Sequence, residues 1–166
     1  MSFTIRHIDH LVLRVADLER MLRFYGEVLG CRVERQLDDV GLVQLHAGAS
    51  MIDLVPVDSP LGRAGGGAAQ PQARNMDHFC LRVEPFDEPE IRRHLQAHGV
   101  DAGPTETRYG AEGNGPSIYL RDPEGNTVEL KGPSTKVVSQ CGTNHVVGHP
   151  ERDANGLASG GNDRRR

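Results

Sequence analysis

The 166-residue chain contains no tryptophan, and only 4% of it is aromatic. Any core must therefore be packed mainly from aliphatic side chains. Its three cysteines, Cys31, Cys80 and Cys141, include no C-x-x-C pair; an odd number at scattered spacings excludes a disulfide framework and fits reduced thiols. No apolar run approaches the roughly 18 residues that span a bilayer. The opening Met1-Ser2-Phe3-Thr4-Ile5-Arg6-His7 also lacks the charged-then-apolar pattern of a signal peptide, so a cytoplasmic protein with no membrane partner is expected. Positive charge is not in excess either: the formal net charge is -4, and the basic cluster is Arg164-Arg165-Arg166 at the very end. That excludes an electrostatic footprint for nucleic acid and leaves a small molecule as the expected partner. With 37% hydrophobic and 25% charged residues, the chain has the makings of one ordinary domain, or of two small modules sharing a core.

What is present is a repeat. Ile8-Asp9-His10-Leu11-Val12-Leu13-Arg14-Val15 returns as Met76-Asp77-His78-Phe79-Cys80-Leu81-Arg82-Val83, with Asp, His, Leu, Arg and Val in the same places. Apolar residues at period two predict a β-strand in each copy. The first module, 7–57, continues with a helix over Ala16–Leu29, where Asp17 can cap, Leu18, Met21, Leu22, Tyr25 and Leu29 recur at helical spacing, and Gly30 stops it. Strands follow near Arg32–Gln36, Leu42–His46 and Met51–Val55. A Gly/Pro/Gln-rich linker and potential lid, 58–75, contains Gly65-Gly66-Gly67. The second module, 76–132, repeats the order: strand Asp77–Val83, helix Glu88–His98 ended by Gly99, a short strand near Val100–Ala102, a loop over Thr105–Pro116, and strands Ser117–Arg121 and Thr127–Lys131 joined by the turn Asp122-Pro123-Glu124-Gly125-Asn126. Residues 133–166 lose periodicity and read as a low-complexity tail. The spacing Cys141-x3-His145-x3-His149 in that tail is not expected to form a second metal site, because Gly142, Gly148 and Pro150 oppose the helix that would align it.

Side-chain direction follows by counting. Leu11, Leu13 and Val15 share one strand face, so His10, Val12 and Arg14 share the other; His78, Cys80 and Arg82 repeat this. In the last strand of each module an acid interrupts an apolar run, Asp53 between Ile52 and Leu54 and Glu129 between Val128 and Leu130. The aliphatics can pack under the helices, leaving both acids on the concave face with the histidines. A carboxylate among aliphatics costs several kcal/mol to desolvate unless a cation or strong donors meet it. Salt bridges to Arg14, Arg82 or Arg121, or a place at a solvated strand edge, would answer this, as would a divalent metal held by His10, Asp53, His78 and Glu129.

The repeated D-H-x-x-L-R-V openings, the Tyr119-Leu120-Arg121-Asp122-Pro123-Glu124-Gly125-Asn126-x-x-Glu129-Leu130 ending and the paired βαβββ modules resemble the vicinal oxygen chelate superfamily. That superfamily includes glyoxalase I, methylmalonyl-CoA epimerase, fosfomycin-resistance thiol transferases, extradiol dioxygenases and bleomycin-binding proteins. The resemblance spans about residues 7–132. It implies an α+β fold in which paired βαβββ modules form a curled mixed sheet around a metal cleft, helices outside. It also implies that His10, His78 and Glu129 are metal ligands and that Asp53 stands at a fourth position, one methylene shorter than the family's Glu or Gln. The cofactor implied is a divalent ion: zinc, nickel, manganese, cobalt or iron(II).

The leading expectation is a glyoxalase-like lyase or isomerase that chelates vicinal oxygens of a small substrate and moves a proton through an enediolate, with Glu129 as base and Asp53 as its deputy. Arg108, Tyr109, Ser117, Tyr119 and Arg121 are candidate substrate contacts. Three alternatives stay open: an iron(II) extradiol-type dioxygenase using His10, His78 and Glu129 as a facial triad, an antibiotic-resistance thiol transferase, and a drug-binding protein without catalysis. The resemblance further implies a homodimer, with the cleft built either within one chain or from two.

Overall fold

The computed structural model describes residues 4–70 and 72–135. The Cys141, His145 and His149 spacing and nearly all of the tail lie outside these residues. Two βαβββ modules are seen. In the first, β1 (His10–Val15), α1 (Leu18–Arg23), β2 (Arg32–Leu37), β3 (Leu42–Ala47) and β4 (Ser50–Pro56) form a sheet in the order β1-β4-β3-β2. In the second, β5 (His78–Arg82), α2 (Glu88–Ala97), β6 (Glu106–Gly110), β7 (Gly113–Arg121) and β8 (Thr127–Lys131) form a sheet in the order β5-β8-β7-β6. In each sheet the opening strand runs parallel to the closing one, β1 with β4 and β5 with β8, while the other neighbours are antiparallel. The sheets are separate and do not close on each other.

Strand alternation sorts the side chains as the period-two pattern requires. Leu13, Val15, Ile52 and Leu54 are buried with Leu120, Val128 and Leu130 of the second module in one hydrophobic cluster. His10, Val12 and His78 are exposed on the opposite faces. The modules are also lashed together by polar contacts. The Tyr25 hydroxyl donates to Asp122 Oδ2 at 2.9 Å, Glu124 Oε1 accepts from the amides of Ala16 (2.6 Å) and Asp17 (2.8 Å), and His94 Nε2 lies 2.9 Å from the Val28 carbonyl. Burial, then the neighbouring Asp122, pushes the Tyr25 phenol far above its ordinary range, so it stays a donor.

Three elements differ from the sequence expectation. The first helix is α-helical only to Arg23, and Phe24–Val28 continues as a π turn, with the Leu29 amide reaching the Phe24 carbonyl at 3.1 Å. The wider turn lets the adjacent Phe24 and Tyr25 both face inward, and both are buried. No strand forms at Val100–Ala102, where Ala102 makes a single bridge to Leu120. The loop expected over Thr105–Pro116 is instead a hairpin of β6 and β7. Arg14 donates to the linker carbonyls of Gly65 (2.8 Å), Gly66 and Gly67 (3.2 Å). A Cβ on Gly65 would meet Arg14 Nε at 2.5 Å, so a larger residue there would displace the guanidinium from these carbonyls.

Candidate metal centre

In the second module, β5 and β8 bring His78 and Glu129 together. Glu129 pairs in register with Cys80 on one side and Tyr119 on the other, so all three side chains share the face that carries His78. Glu129 is only 5% exposed. Its Oε1 accepts from the Ser117 hydroxyl at 2.5 Å, and its Oε2 lies 3.3 Å from His78 Nε2. His78 Nδ1 in turn lies 2.7 Å from Asp77 Oδ2. An ionised carboxylate only accepts, so the proton in that contact sits on Nδ1. That leaves Nε2 to face Glu129, a contact that either a proton on Nε2 or a bound cation can satisfy.

The first module holds the equivalent pair less tightly. Asp53 faces the same side as Val12 and Gln44, its register partners, and is 4% exposed. Its Oδ2 accepts from Gln44 Nε2 at 2.9 Å, whereas Oδ1 is buried with no hydrogen-bond partner. An orphaned buried carboxylate oxygen carries a penalty of about 1–3 kcal/mol or more. His10 stands on the same face with Nδ1 2.8 Å from Asp9 Oδ1. The Asp9 hydrogen bond, aided by the charge of Asp53, raises the imidazole above its usual range.

The arginines that could have neutralised these acids are engaged elsewhere. Arg14 holds the glycine carbonyls, Arg82 pairs with Glu112 at 2.7 Å and Glu84 at 3.2 Å, and Arg121 Nη1 donates to the Gly125 carbonyl at 3.0 Å. Among the described residues neither acid pairs with an arginine, although Arg14 Nε, like Asp53 Oδ1, is buried without a partner; the orphaned Asp53 oxygen is a donor that a divalent ion would suit. The four candidates are not gathered into one cage. Among the described residues, no three of His, Cys, Asp and Glu come together as a group able to hold an ion; they stand as two pairs, one in each module.

Of the candidate substrate contacts, Ser117 and Tyr119 sit at Glu129. The Tyr119 ring meets His78 edge-on, with centroids 5.5 Å apart, and Arg108 lies 5.9 Å from the centre of the Tyr119 ring. Burial, then the hydrogen bond to Glu129, raises the Tyr119 phenol. Tyr109 stands on the other side of β6 from Arg108 and is 78% exposed. Arg121 bends back to its own turn and lines, with Arg20, Arg23, Phe24 and His98, a cavity of about 750 Å³ that none of the four ligand candidates lines.

Four residues of this region had no role in the sequence reading. Asp9 and Asp77 were visible as part of the repeat, but side chains adjacent on a strand are expected to diverge. Gln44 carries no pattern of its own. Lys131, 6% exposed, donates from Nζ to the carbonyls of Arg108 and Gly115 (3.3 Å). Cys80 completes the surroundings: burial, then the charge and hydrogen bond of Glu129, push its thiol up to about 11. In metal-free protein, iodoacetamide is therefore expected to label Cys80 far more slowly than a model thiol at pH 8 and to catch up only as the pH nears 11. Labelling at the model rate would contradict this environment.

A family model described as glyoxalase/bleomycin resistance protein/dioxygenase superfamily matches residues 7–130. The chain belongs to that superfamily. Among its relatives, virulence protein STM3117 of Salmonella typhimurium is 35% identical over 132 residues, covering 78% of this chain and 86% of that protein. The mitochondrial methylmalonyl-CoA epimerase of Homo sapiens is 28% identical over 133 residues, covering 75% of this chain and 72% of that protein. Among solved structures, lactoylglutathione lyase from Agrobacterium tumefaciens superposes with a TM-score of 0.55 at 25% identity, over 76% of this chain and 92% of that one. The superfamily thus includes lyases and epimerases, and its shared architecture is the paired βαβββ fold described above.

Proposed function

We propose that this superfamily member is a metal-dependent enzyme of the glyoxalase and epimerase kind, which moves a proton on the carbon beside a carbonyl in a substrate bearing two neighbouring oxygens. The observation that carries the reading is the orphaned, buried Asp53 Oδ1, seconded by the His78–Glu129 contact that repeats the same histidine and acid in the other module. The similarity to an epimerase and a lactoylglutathione lyase is consistent with this chemistry. His10 and Asp53 would hold the ion from one side, His78 and Glu129 from the other. Because each chain keeps its pairs apart, the complete site is formed by two copies, the first module of one facing the second module of the other.

A bound divalent ion supplies Lewis acidity toward the substrate oxygens and lowers the cost of losing the adjacent proton. Glu129 takes that proton and returns it. The Ser117 hydroxyl on Oε1 fixes the carboxylate, with Oε2 turned toward His78. Tyr119 borders the substrate, with Arg108 beside its ring and paired to Glu106.

The test combines metal loading with a variant. Protein loaded in turn with zinc, nickel, manganese, cobalt and iron(II) is expected to isomerise a glutathione thiohemiacetal, or to exchange the α-proton of a methylmalonyl thioester with D₂O. Glu129→Gln should lower the rate about 10²–10⁴-fold. Protein that holds no metal under any loading, or a variant with full activity, defeats the proposal. Catechol-dependent oxygen uptake would replace it with iron(II) ring cleavage.

A further inference from the structure

We infer that Asp9 and Asp77 are positioning residues for the metal site: each holds Nδ1 of the histidine that follows it and so presents Nε2 to the ion. The inference rests on the metal-dependent reading above and deepens it. The two contacts are nearly identical, 2.8 Å from His10 Nδ1 to Asp9 Oδ1 and 2.7 Å from His78 Nδ1 to Asp77 Oδ2.

Neither contact follows from strand geometry, because neighbouring side chains on a strand point to opposite faces. Asp9 and Asp77 lie just before β1 and β5 begin, and there the carboxylate can curl round the strand end to reach the ring. Packing does not ask for an acid at either place, since the side chains are 83% and 97% exposed.

Two other histidines among the described residues are held by the opposite nitrogen. His94 uses Nε2 toward the Val28 carbonyl, and His46 uses Nε2 toward Glu34 at 3.3 Å. A partner on Nδ1 leaves Nε2 free for a ligand. A carboxylate there selects the Nδ1–H tautomer, fixes the ring plane and strengthens Nε2 as a donor to metal. The second copy shows the outcome, with Nε2 of His78 aimed at Glu129. The repeated Asp-His unit is thus one functional piece, used twice.

The experiment compares wild type with Asp9→Ala, Asp77→Ala and the corresponding Asn variants. Zinc and manganese affinities are measured by calorimetry, and the tautomers of His10 and His78 in the metal-free protein by ¹⁵N NMR. Each Ala variant is expected to bind about 10-fold more weakly and to shift its histidine toward the Nε2–H tautomer. The Asn variants keep an acceptor oxygen and should retain the wild-type tautomer and most of the affinity. Wild-type protein that binds neither ion defeats the metal reading itself. Wild-type binding with unchanged affinity and tautomer in the Ala variants overturns only the positioning role, as does an equal loss in Ala and Asn variants, which would mean that charge alone matters.

Discussion

An equal mixture of His10→Ala and Glu129→Ala proteins, allowed to exchange subunits, is expected to recover about a quarter of wild-type activity although each is inactive alone. The number follows from sites shared between copies. Random exchange makes half of the dimers mixed, and each mixed dimer has one site carrying both defects and one carrying neither. The structural grounds are the separation of the two pairs within one chain and the outer edges of β1 and β5, which have no neighbouring strand in their sheets. Exposed edges of this kind are ready to meet another copy. Activity is measured before and after exchange, with oligomeric state followed by sedimentation. A monomeric protein, or two inactive variants that never complement, would return the site to a single chain.

The second large effect concerns stability. Asp122 is 4% exposed and accepts from the Tyr25 hydroxyl (2.9 Å), the amides of Glu124 (3.0 Å) and Asn126 (2.8 Å), and Asn126 Nδ2 (2.7 Å). Asp122→Ala leaves these donors without their acceptor and cuts a tie between the modules. A loss of about 3–5 kcal/mol is expected, which lowers Tm by about 10 °C for a chain of this size. Tyr25→Phe removes one of the bonds and should cost about 1 kcal/mol. Thermal unfolding followed by circular dichroism reads both, and an Asp122→Ala protein melting within a degree or two of wild type would show the turn to be self-sufficient.

Much of the architecture was legible because a strand's alternation is a rigid rule. Counting from His10 separated Leu13 and Val15 from Val12, and counting through Ile52-Asp53-Leu54 put the acid opposite its neighbours, as the burial of Ile52 and Leu54 in the core shows. Glycine misled where it signalled space rather than flexibility. Gly110 and Gly115 read as loop, yet both lie in the β6–β7 hairpin, where an added Cβ would meet the Lys131 side chain at 2.8 Å and 3.2 Å. At the site, the residue types that bind metal stood out from the repeat, but the partners that orient them did not. Asp77 reaches His78 through the bend before β5, and Gln44 reaches Asp53 across a strand pair. Neither leaves a periodic trace.

The tie from Tyr25 to Asp122 also bears on how such a chain could arise. A solitary βαβββ unit would present a buried aromatic hydroxyl and the apolar side of its helix to water, with nothing of its own to cover them. Two separate units would have had to find each other in solution. Fusing them end to end turns that encounter into an intramolecular one at millimolar effective concentration, which frees the outer strand edges for association with a further copy.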